Sequence, residues 1–495
     1  MRIVPALDRW PRAVAFASTP IGRLALVAAF TLGLRLHAVR WWGGAGVALA
    51  ALALFPRRRR ELLAFATLAW AVTWTRFDWS ALDVAAERMG HLAPEWTSST
   101  AFRFATVLAG WALAIGAREW IRARTRAAPQ GLCARRPIAC LILADALLLA
   151  IAAHAPLPSG LSACLWALVI VTGRLLWYVA LSLLDRSNGS LHATGTSFGT
   201  WLPFWTNTTD TATPIPKNGA MLARIEAKND DELAVTMLKG VKLLAWSIVL
   251  AVVADLFAWA VHAEPGRLTG RLFAAAIAAG RAPLTLALPH VETAFVAVAS
   301  GASPGAAELW TISLANFFED LLAISIWGHV MVAGARMAGF RALRNTWRPL
   351  ESRTIAEFWN RYFFYFKELL VDVFFYPAFL RGPKRHPRLR RFLATVAAAG
   401  VGNFVYHFLK EFHLIAEHGL PRALVHYQAY AAYGLVLGSA IGLSQLRDAR
   451  AKRTWTAPIG VCLFYALVII TRPTRPIAEH VEFLRALLGL GGVLG

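Results

Sequence analysis

One histidine in the last third of the chain has the spacing of a general base inside a membrane helix. His407 lies in the apolar run VGNFVYHFLKEF, with Asn403 four residues before it and Glu411 four residues after it. Side chains four residues apart share one face of an α-helix, so the three polar groups are predicted to form one stripe. A neutral imidazole, with an ordinary pKa of about 6.5, can take a proton from a hydroxyl group and return it. From spacing alone, catalysis and packing against a neighbouring helix are equally open.

A pair of carboxylates lies in another apolar run, LANFFEDLLAISIWGHVMVAG. Each ionisable residue inside a membrane span costs about 2.5–3.5 kcal/mol on insertion scales, which makes Glu319 and Asp320 candidates for a functional site. The pair is expected either to line a polar cavity or to hold a neighbouring arginine. Single polar residues in other apolar runs are typical of helix packing, and these are Asp145, Asp255, His329 and His426.

The familiar short motifs of hydrolases and metalloenzymes are not found in the sequence. There is no Gly-rich phosphate loop, no G-x-S-x-G turn and no H-E-x-x-H pair. The four cysteines are scattered, which is typical of small buried hydrophobic residues rather than of disulfides or a metal cluster. Histidines and carboxylates also lack ligand spacing. The sequence therefore predicts no metal site and no tightly bound cofactor.

The elements that must position these residues are membrane helices. The 495 residues are 57% hydrophobic and 16% charged, with a mean hydropathy of +0.49, whereas soluble domains carry roughly 25% charged residues. The formal net charge of +22 is carried by short basic clusters between apolar runs, a pattern typical of cytoplasmic loops rather than of a nucleic-acid-binding surface. We predict an all-α polytopic membrane protein, with one integral membrane domain over residues 1–495 and no nucleic-acid partner.

Eleven segments are apolar over about the 20 residues that a bilayer span requires. They are residues 21–37, 41–56, 61–77, 99–117, 138–156, 160–184, 241–263, 309–335, 392–413, 423–445 and 455–471. With this count the N-terminal arm and the basic stretches 57–60, 118–136, 336–353 and 447–453 fall on one side, and the acidic loop 78–95 falls on the other. The positive-inside rule then predicts a multi-pass cell-membrane protein with a cytoplasmic N-terminus. The first span is predicted to be a retained anchor.

Residues 355–380 are predicted to enter the membrane and return, or to lie along its surface. The basic cluster 381–391 falls on the cytoplasmic side only if this aromatic segment does not cross. Backbone that dips into a membrane must be packed in protein or line a cavity, so the segment is expected to mark a buried cavity. Residues 186–240 are predicted to form a long polar connection, and residues 271–300 a hairpin or an interfacial helix.

The block GARMAGFRALRNTWRPLESRTIAEFWNRYFFYFKELLVDVFFYP, followed by GVGNFVYHFL, resembles the membrane-bound O-acyltransferase family. The resemblance covers residues 310–415, and His407 matches the family's histidine in a later membrane helix. The positions that fall in register in the first block are Gly339, Phe340, Asn345, Pro349, Glu357, Phe358, Trp359, Arg361, Asp372 and Pro377.

The resemblance implies a ring of helices around a tunnel in which a thioester-activated acyl group meets a hydroxyl acceptor. His407 is then the general base, with Asn403 and Arg361 as donors to the charge that develops on the acyl carbonyl. Trp359 and Phe358 are expected to form part of the cavity wall. The remaining expected substrate contacts are the carboxylates Glu357 and Asp320.

The same resemblance implies acyl-CoA or an acyl carrier protein as the acyl donor. Both are anionic, and both are expected to approach from the basic cytoplasmic face. The acceptor is expected to be an envelope glycan, a lipid or a small metabolite.

The chain departs from the family pattern at two places. Phe363 stands where a polar His or Asn is common, and Asn360 is the candidate to take that role. Phe404, Val405, Tyr406 and Phe408 replace the Gly-Leu-Trp and Gly that usually flank the family histidine. The alternative hypothesis is a non-catalytic transporter or scaffold, against which stands the lack of an evident inverted repeat or paired broken helices.

Overall fold

The computed structural model describes residues 4–37, 42–59, 61–63, 65–66, 79–88, 95–184, 219–279, 285–446, 456–470 and 475–490. Over these ranges the regular structure is helical, apart from one antiparallel bridge between Glu226 and Phe340. Within them, six helices are long and apolar enough to cross a membrane, or up to eight if each of two bent helix pairs forms one span. The prediction of an all-α membrane protein is confirmed at this level.

The first half contains both long apolar helices and short connecting ones. They are α1 (Pro11–Ala17), α2 (Pro20–Leu36), α3 (Trp42–Leu54), α4 (Ser80–Arg88), α5 (Thr100–Ala127), α6 (Leu132–Arg135), α7 (Pro137–His154), α8 (Ser159–Leu184) and α9 (Gly219–Ile225).

The second half begins with the longest described helix. Its helices are α10 (Asp230–His262), α11 (Arg267–Leu272), α12 (Ala274–Ala278), α13 (Val291–Ala299), α14 (Ala306–Met337), α15 (Ile355–Tyr362), α16 (Phe364–Leu370), α17 (Tyr376–Arg381), α18 (Pro387–Thr395), α19 (Asn403–Phe408), α20 (Phe412–His426), α21 (Gln428–Leu446), α22 (Ala457–Ile469) and α23 (Ile477–Leu487). Two π-helical turns join neighbouring helices, Val371–Phe375 between α16 and α17, and Val396–Gly402 between α18 and α19.

Several helices begin at residues that satisfy their first free backbone N–H groups. The side chains of Thr19, Ser99 and Asn229 accept hydrogen bonds at the starts of α2, α5 and α10. Proline opens α2 and α7 among others, where its missing N–H costs no hydrogen bond. The ends of the long helices are therefore specified locally.

Helix α8 lies at the centre of the bundle. In its most apolar window 78% of the residues are buried, against 22% in α5 and α10. The outer helices instead expose large apolar side chains, such as Leu143 and Leu147 of α7 at 64% and 62%. Side chains of this kind are stable on a surface that faces lipid.

Among the described helices, α10 and α14 form the most extensive pair, and they run antiparallel. Gly240 lets the two backbones approach closely, because a Cβ at this position would lie 3.1 Å from the carbonyl oxygen of Ala333. Arg336 contacts the Lys239 carbonyl at one end, and Glu319 contacts His262 near the other. The 24 residues from Lys239 to His262 correspond to about 35 Å of helix, enough to cross a bilayer.

Most of the eleven predicted spans coincide with described helices. Six correspond to α5, α7, α8, α10, α14 and α21, and segments 21–37 and 392–413 belong to the two bent pairs. Segments 41–56 and 455–471 form the short helices α3 and α22. Most of segment 61–77, the stretch 447–453 and residues 185–218 lie outside the described residues.

Candidate functional site

The helix that carries His407 ends directly after it. Residues Pro387–Phe408 run as one helix through the π-helical turn, and the chain then bends by 104° into α20. Asn403 and His407 therefore lie on one helix, as predicted. The prediction that Glu411 continues the same face is wrong, because Glu411 lies beyond the bend. A broken helix at membrane depth is tolerated where protein or a cavity surrounds it.

A row of glycines on α21 determines how closely this broken helix packs. Gly434 and Gly438 meet Gly400 of the π-helical turn. A Cβ on Gly434 would lie 2.9 Å from the Gly400 carbonyl oxygen, and one on Gly438 would lie 2.8 Å from the Gly400 nitrogen. Small residues spaced four apart allow this backbone-to-backbone contact between membrane helices. The contact fixes α21 against the helix that carries His407.

The close packing brings Tyr430 of α21 against both predicted polar residues. Tyr430 lies four residues before Gly434, on the same face of α21. Its hydroxyl donates to Oδ1 of Asn403 at 3.3 Å, and its ring centroid lies 5.0 Å from that of His407. Tyr430 is 3% exposed and Asn403 is 1% exposed, whereas His407 is only partly buried. The three side chains form what we call the His407 cluster.

Aromatic rings surround the imidazole on its other sides. The Phe366 ring meets it edge-on at 5.6 Å, and Tyr406 lies at 5.0 Å while stacking on the buried Trp177 of α8. The ring centroid of Trp359 lies 6.1 Å from that of Phe366. Trp359 therefore lies one ring away from His407, and its role in walling a cavity stays a prediction.

Glu357 and Arg361 face each other on α15. The Arg361 guanidinium donates to Glu357 at 2.6 Å, and the second carboxylate oxygen of Glu357 accepts from the Arg353 N–H at 2.9 Å. Thr354 caps the same helix by accepting from the Glu357 N–H. These contacts give Glu357 and Arg361 a role in starting α15, and their predicted substrate contacts stay predictions.

Asn345 holds the break between α15 and α16. Its backbone carbonyl accepts from the N–H of Phe364 at 2.9 Å, and its side-chain oxygen accepts from the N–H of Tyr365 at 3.3 Å. Phe363, the departure from the family pattern, is the buried residue at the break itself. Residues 339–354 thus form a loop that folds back along α15 and the start of α16.

The other two predicted site residues lie apart in different environments. Asn360 is exposed on α15, although its neighbour Trp359 packs inward. Asp320 is partly buried in α14. Its neighbour Glu319 faces two histidines, and among the described residues no arginine pairs with Glu319.

Those histidines form a second polar cluster, which the spacing of residues did not reveal. The Nε2 atom of His262 lies 3.0 Å from a carboxylate oxygen of Glu319, and Nδ1 of His290 lies 4.0 Å from the other. One ligand atom from each of the three residues falls within 4.8 Å of the others. Their positions in the sequence, 262, 290 and 319, are too far apart to suggest this cluster, which tertiary packing alone creates.

A cavity of about 440 Å³ lies at the end of α10 and α14 opposite this cluster. It is lined by three basic residues, Lys239, Arg336 and Arg341, and by two acidic ones, Asp231 and Glu232. Arg336 is already engaged by the Ala342 carbonyl oxygen at 2.8 Å, and Arg341 lies 3.6 Å from Glu232. The mixed charge makes this cavity a weak site for an anion.

Sequence reasoning missed Tyr430 as a partner of His407. The glycines of YGLVLGSAIG, at 434, 438 and 442, are a signal that could have found it. Glycine at every fourth position predicts a face of close helix packing, and the tyrosine four residues earlier continues that face.

Comparison of the sequence with models of known protein families gives no match, and comparison with curated proteins gives none either. The site geometry and the resemblance of residues 310–415 are therefore the observations on which a function can be argued.

Proposed function

We propose that this protein is a divergent membrane-bound O-acyltransferase that moves an acyl group from a thioester to a hydroxyl group. The observation that carries the proposal is the His407 cluster at the end of a broken helix, where a partly buried imidazole packs against the ring of a tyrosine whose hydroxyl bonds to Asn403. Eleven spans arranged around a tunnel, with the N-terminus in the cytoplasm, are part of the same proposal.

In the proposed reaction His407 takes the proton of the acceptor hydroxyl as its oxygen attacks the thioester carbonyl. The new C–O bond forms, the C–S bond breaks, and the proton passes from the imidazolium to the leaving thiolate. The aromatic wall around the imidazole supports this role, because it limits access of bulk water that would hydrolyse the thioester.

Asn403 is the proposed donor to the oxyanion that forms on the acyl carbonyl. An amide has one acceptor oxygen and two N–H donors, and Tyr430 occupies the oxygen of Asn403. That hydrogen bond fixes the orientation of the amide and leaves its N–H groups as the atoms that can serve a developing negative charge.

The acyl donor is proposed to be acyl-CoA or an acyl carrier protein that docks on the basic face. There the exposed ring of Trp347 lies 4.6 Å from the Arg344 guanidinium and 5.2 Å from that of Arg348. Burial lowers the pKa of Arg344, and the neighbouring Arg348 lowers it further. An anionic donor would relieve this crowding of positive charge.

A His407→Ala variant tests the proposal. Membranes that contain the protein are incubated with radiolabelled acetyl-CoA or palmitoyl-CoA, and alkali-labile ester label is measured. We expect His407→Ala to lower the rate by about 10²–10⁴-fold, the usual contribution of a general base. The matched control is His413→Ala, which removes a histidine of α20 outside the His407 cluster, and Asn360→Ala separately tests the predicted role of Asn360. Equal rates in wild type and His407→Ala would refute the catalytic proposal.

The acceptor can be found by mass spectrometry of envelope glycans, lipids and small metabolites from cells with and without the protein. Ester-linked groups that depend on both the protein and His407 would identify the acceptor class.

Transport on the same framework is the second candidate function. Two bent helix pairs favour it, since α1 and α2 meet at 96° and the helix of His407 meets α20 at 104°. Broken helices of this kind form substrate sites in many transporters. Two results together would support this alternative. The wild type would form no ester, and His407→Ala would still take up a substrate that the wild type takes up.

A further inference from the structure

The structure assigns a binding site for one zinc-class divalent cation to His262, His290 and Glu319. This inference is independent of acyl transfer, because it concerns another part of the molecule. Two imidazole nitrogens and a carboxylate are a ligand set that zinc sites use when a fourth position is left to water.

His262 is held with its Nε2 lone pair aimed at the cluster. It is the last residue of α10, and its side chain is 3% exposed. Its Nδ1 lies 2.8 Å from the Leu288 carbonyl oxygen, which can only accept, so Nδ1 must carry the hydrogen. In the neutral ring Nε2 is then bare, and it makes no hydrogen bond although it is buried 3.0 Å from a Glu319 oxygen. Two electron-rich atoms this close need a proton or a cation between them.

His290 is oriented in the complementary way. Its Nε2 lies 3.1 Å from the carboxylate of Glu264, and its Nδ1 points to the second oxygen of Glu319. Each histidine therefore has one ring nitrogen engaged by an oxygen acceptor and the other directed at Glu319. Metal-binding histidines are oriented in this way by carboxylates and backbone carbonyls.

The two rings stack, with centroids 3.9 Å apart at an interplanar angle of 24°. The lone pair of a ring nitrogen lies in the plane of its ring, so both rings can ligate one ion only if one of them turns out of the stack. The side chain of His290 is 44% exposed and has the room to turn, whereas that of His262 is 3% exposed. The three ligand atoms fall within 4.8 Å of one another. In a tetrahedral zinc site they would lie about 3.3 Å apart, so a rotation of His290 would complete the site.

The backbone around the cluster is organised to keep His290 in place. The N–H groups of Leu286 and Leu288 donate to the carbonyls of Ala260 and Val261, at 2.9 Å each, at the end of α10. His290 follows and forms the cap position of α13. A bound cation would link residues 286–290 to α10 and α14 at one further point, in addition to the two backbone hydrogen bonds.

Metal titration of the full-length protein tests the site. The protein is purified without a histidine tag, reconstituted in nanodiscs, treated with a chelator and titrated with Zn²⁺ by calorimetry, with bound metal counted by elemental mass spectrometry. We expect one zinc per chain for the wild type and at least a 100-fold loss of affinity for Glu319→Gln and for His290→Ala. Glu264→Gln, which only orients His290, should weaken binding about 10–100-fold.

The His413→Ala variant is the matched control. His413 pairs with Glu417 at 4.0 Å on α20 and lies outside the cluster, so its removal should leave zinc affinity unchanged. Size-exclusion elution and the apo melting temperature show whether each variant is folded. His290→Ala is the milder change, because the side chain is 44% exposed. Equal zinc binding in wild type, Glu319→Gln and His290→Ala, or none in any of them, would overturn the assignment and leave an ordinary ion pair.

Discussion

At the residue scale, the sequence correctly predicted that Asn403 and His407 share a face and wrongly extended that face to Glu411. Spacing in fours is reliable only as long as the helix continues, and this helix ends at Phe408. Tyr430, which contacts both residues, comes from a separate helix and could not be paired with them by local spacing.

The hydroxyl of Tyr430 is a sharp test of the His407 cluster. Tyr430→Phe keeps the ring and removes the hydrogen bond to Asn403, so we expect a loss of about 1 kcal/mol in stability. If Asn403 is the oxyanion donor, kcat should also fall about tenfold or more at nearly constant KM, because the amide loses its orientation. Steady-state rates of ester formation measure kcat and KM, and the melting temperature measures the change in stability.

Tyr376→Phe is the control for that change, since Tyr376 is exposed on α17. If Tyr430→Phe has the kcat of the wild type, Tyr430 does not position the Asn403 amide for catalysis, whatever the effect of the change on stability.

At the scale of the elements, helix positions followed from apolar length, whereas helix breaks did not. The break at Phe363 is stabilised by Asn345, which lies 18 residues earlier and bonds to the backbone of Phe364 and Tyr365. At the bend after Phe408 the backbone forms short-range hydrogen bonds, such as the one from the Glu411 N–H to the Phe408 carbonyl oxygen. Hydropathy shows whether a segment is apolar, but it does not show which side chain forms hydrogen bonds with the backbone groups at a helix break.

The glycine row of α21 should be intolerant of a single methyl group. In Gly438→Ala the new Cβ would lie 2.8 Å from the Gly400 nitrogen and 3.2 Å from its Cα, and backbone atoms cannot move aside. We expect a loss of about 1–3 kcal/mol from overpacking, with reduced acyl transfer as α21 shifts away from His407. Thermal unfolding in detergent and the ester-forming assay measure the two effects.

Gly116→Ala in α5 is the matched control, because a Cβ at this position would meet nothing within 4 Å. It should be neutral or stabilising by up to about 1 kcal/mol, through helix propensity. Equal melting temperatures for the two alanine variants would contradict the packing argument.

At the scale of the whole molecule, the basic clusters are brought together by contacts between distant segments. Arg59 pairs with Glu226 at 2.7 Å beside Phe340, and Arg381 reaches the Arg135 carbonyl oxygen at 2.6 Å. The contact between Arg59 and Phe340 joins the stretches 57–60 and 336–353. The contact between Arg381 and Arg135 joins the stretches 381–391 and 118–136. Within each of these two pairs the basic stretches lie together, and the grouping of all the basic clusters on one side of the membrane stays a prediction, as does the orientation.

Cysteine labelling tests that orientation. In a background with the four native cysteines replaced by alanine, Lys384→Cys lies in the basic loop and Ala302→Cys lies in the exposed loop before α14. We expect a membrane-impermeant maleimide to label Ala302→Cys in intact cells and Lys384→Cys only after permeabilisation, because positive loops stay in the cytoplasm. The reverse labelling pattern would show the opposite topology. The basic face, on which the thioester donor is proposed to dock, would then lie outside the cell.

The sequence by itself determined the all-helical membrane class, most helix positions and the shared face of Asn403 and His407, since these depend on apolar length and on spacing within one helix. Tertiary structure alone decided that Tyr430 meets His407, that Asn345 holds the break at Phe363, and that His262, His290 and Glu319 converge. Each of these contacts joins residues on different elements, and their distance depends on how helices pack, a quantity that no local pattern encodes.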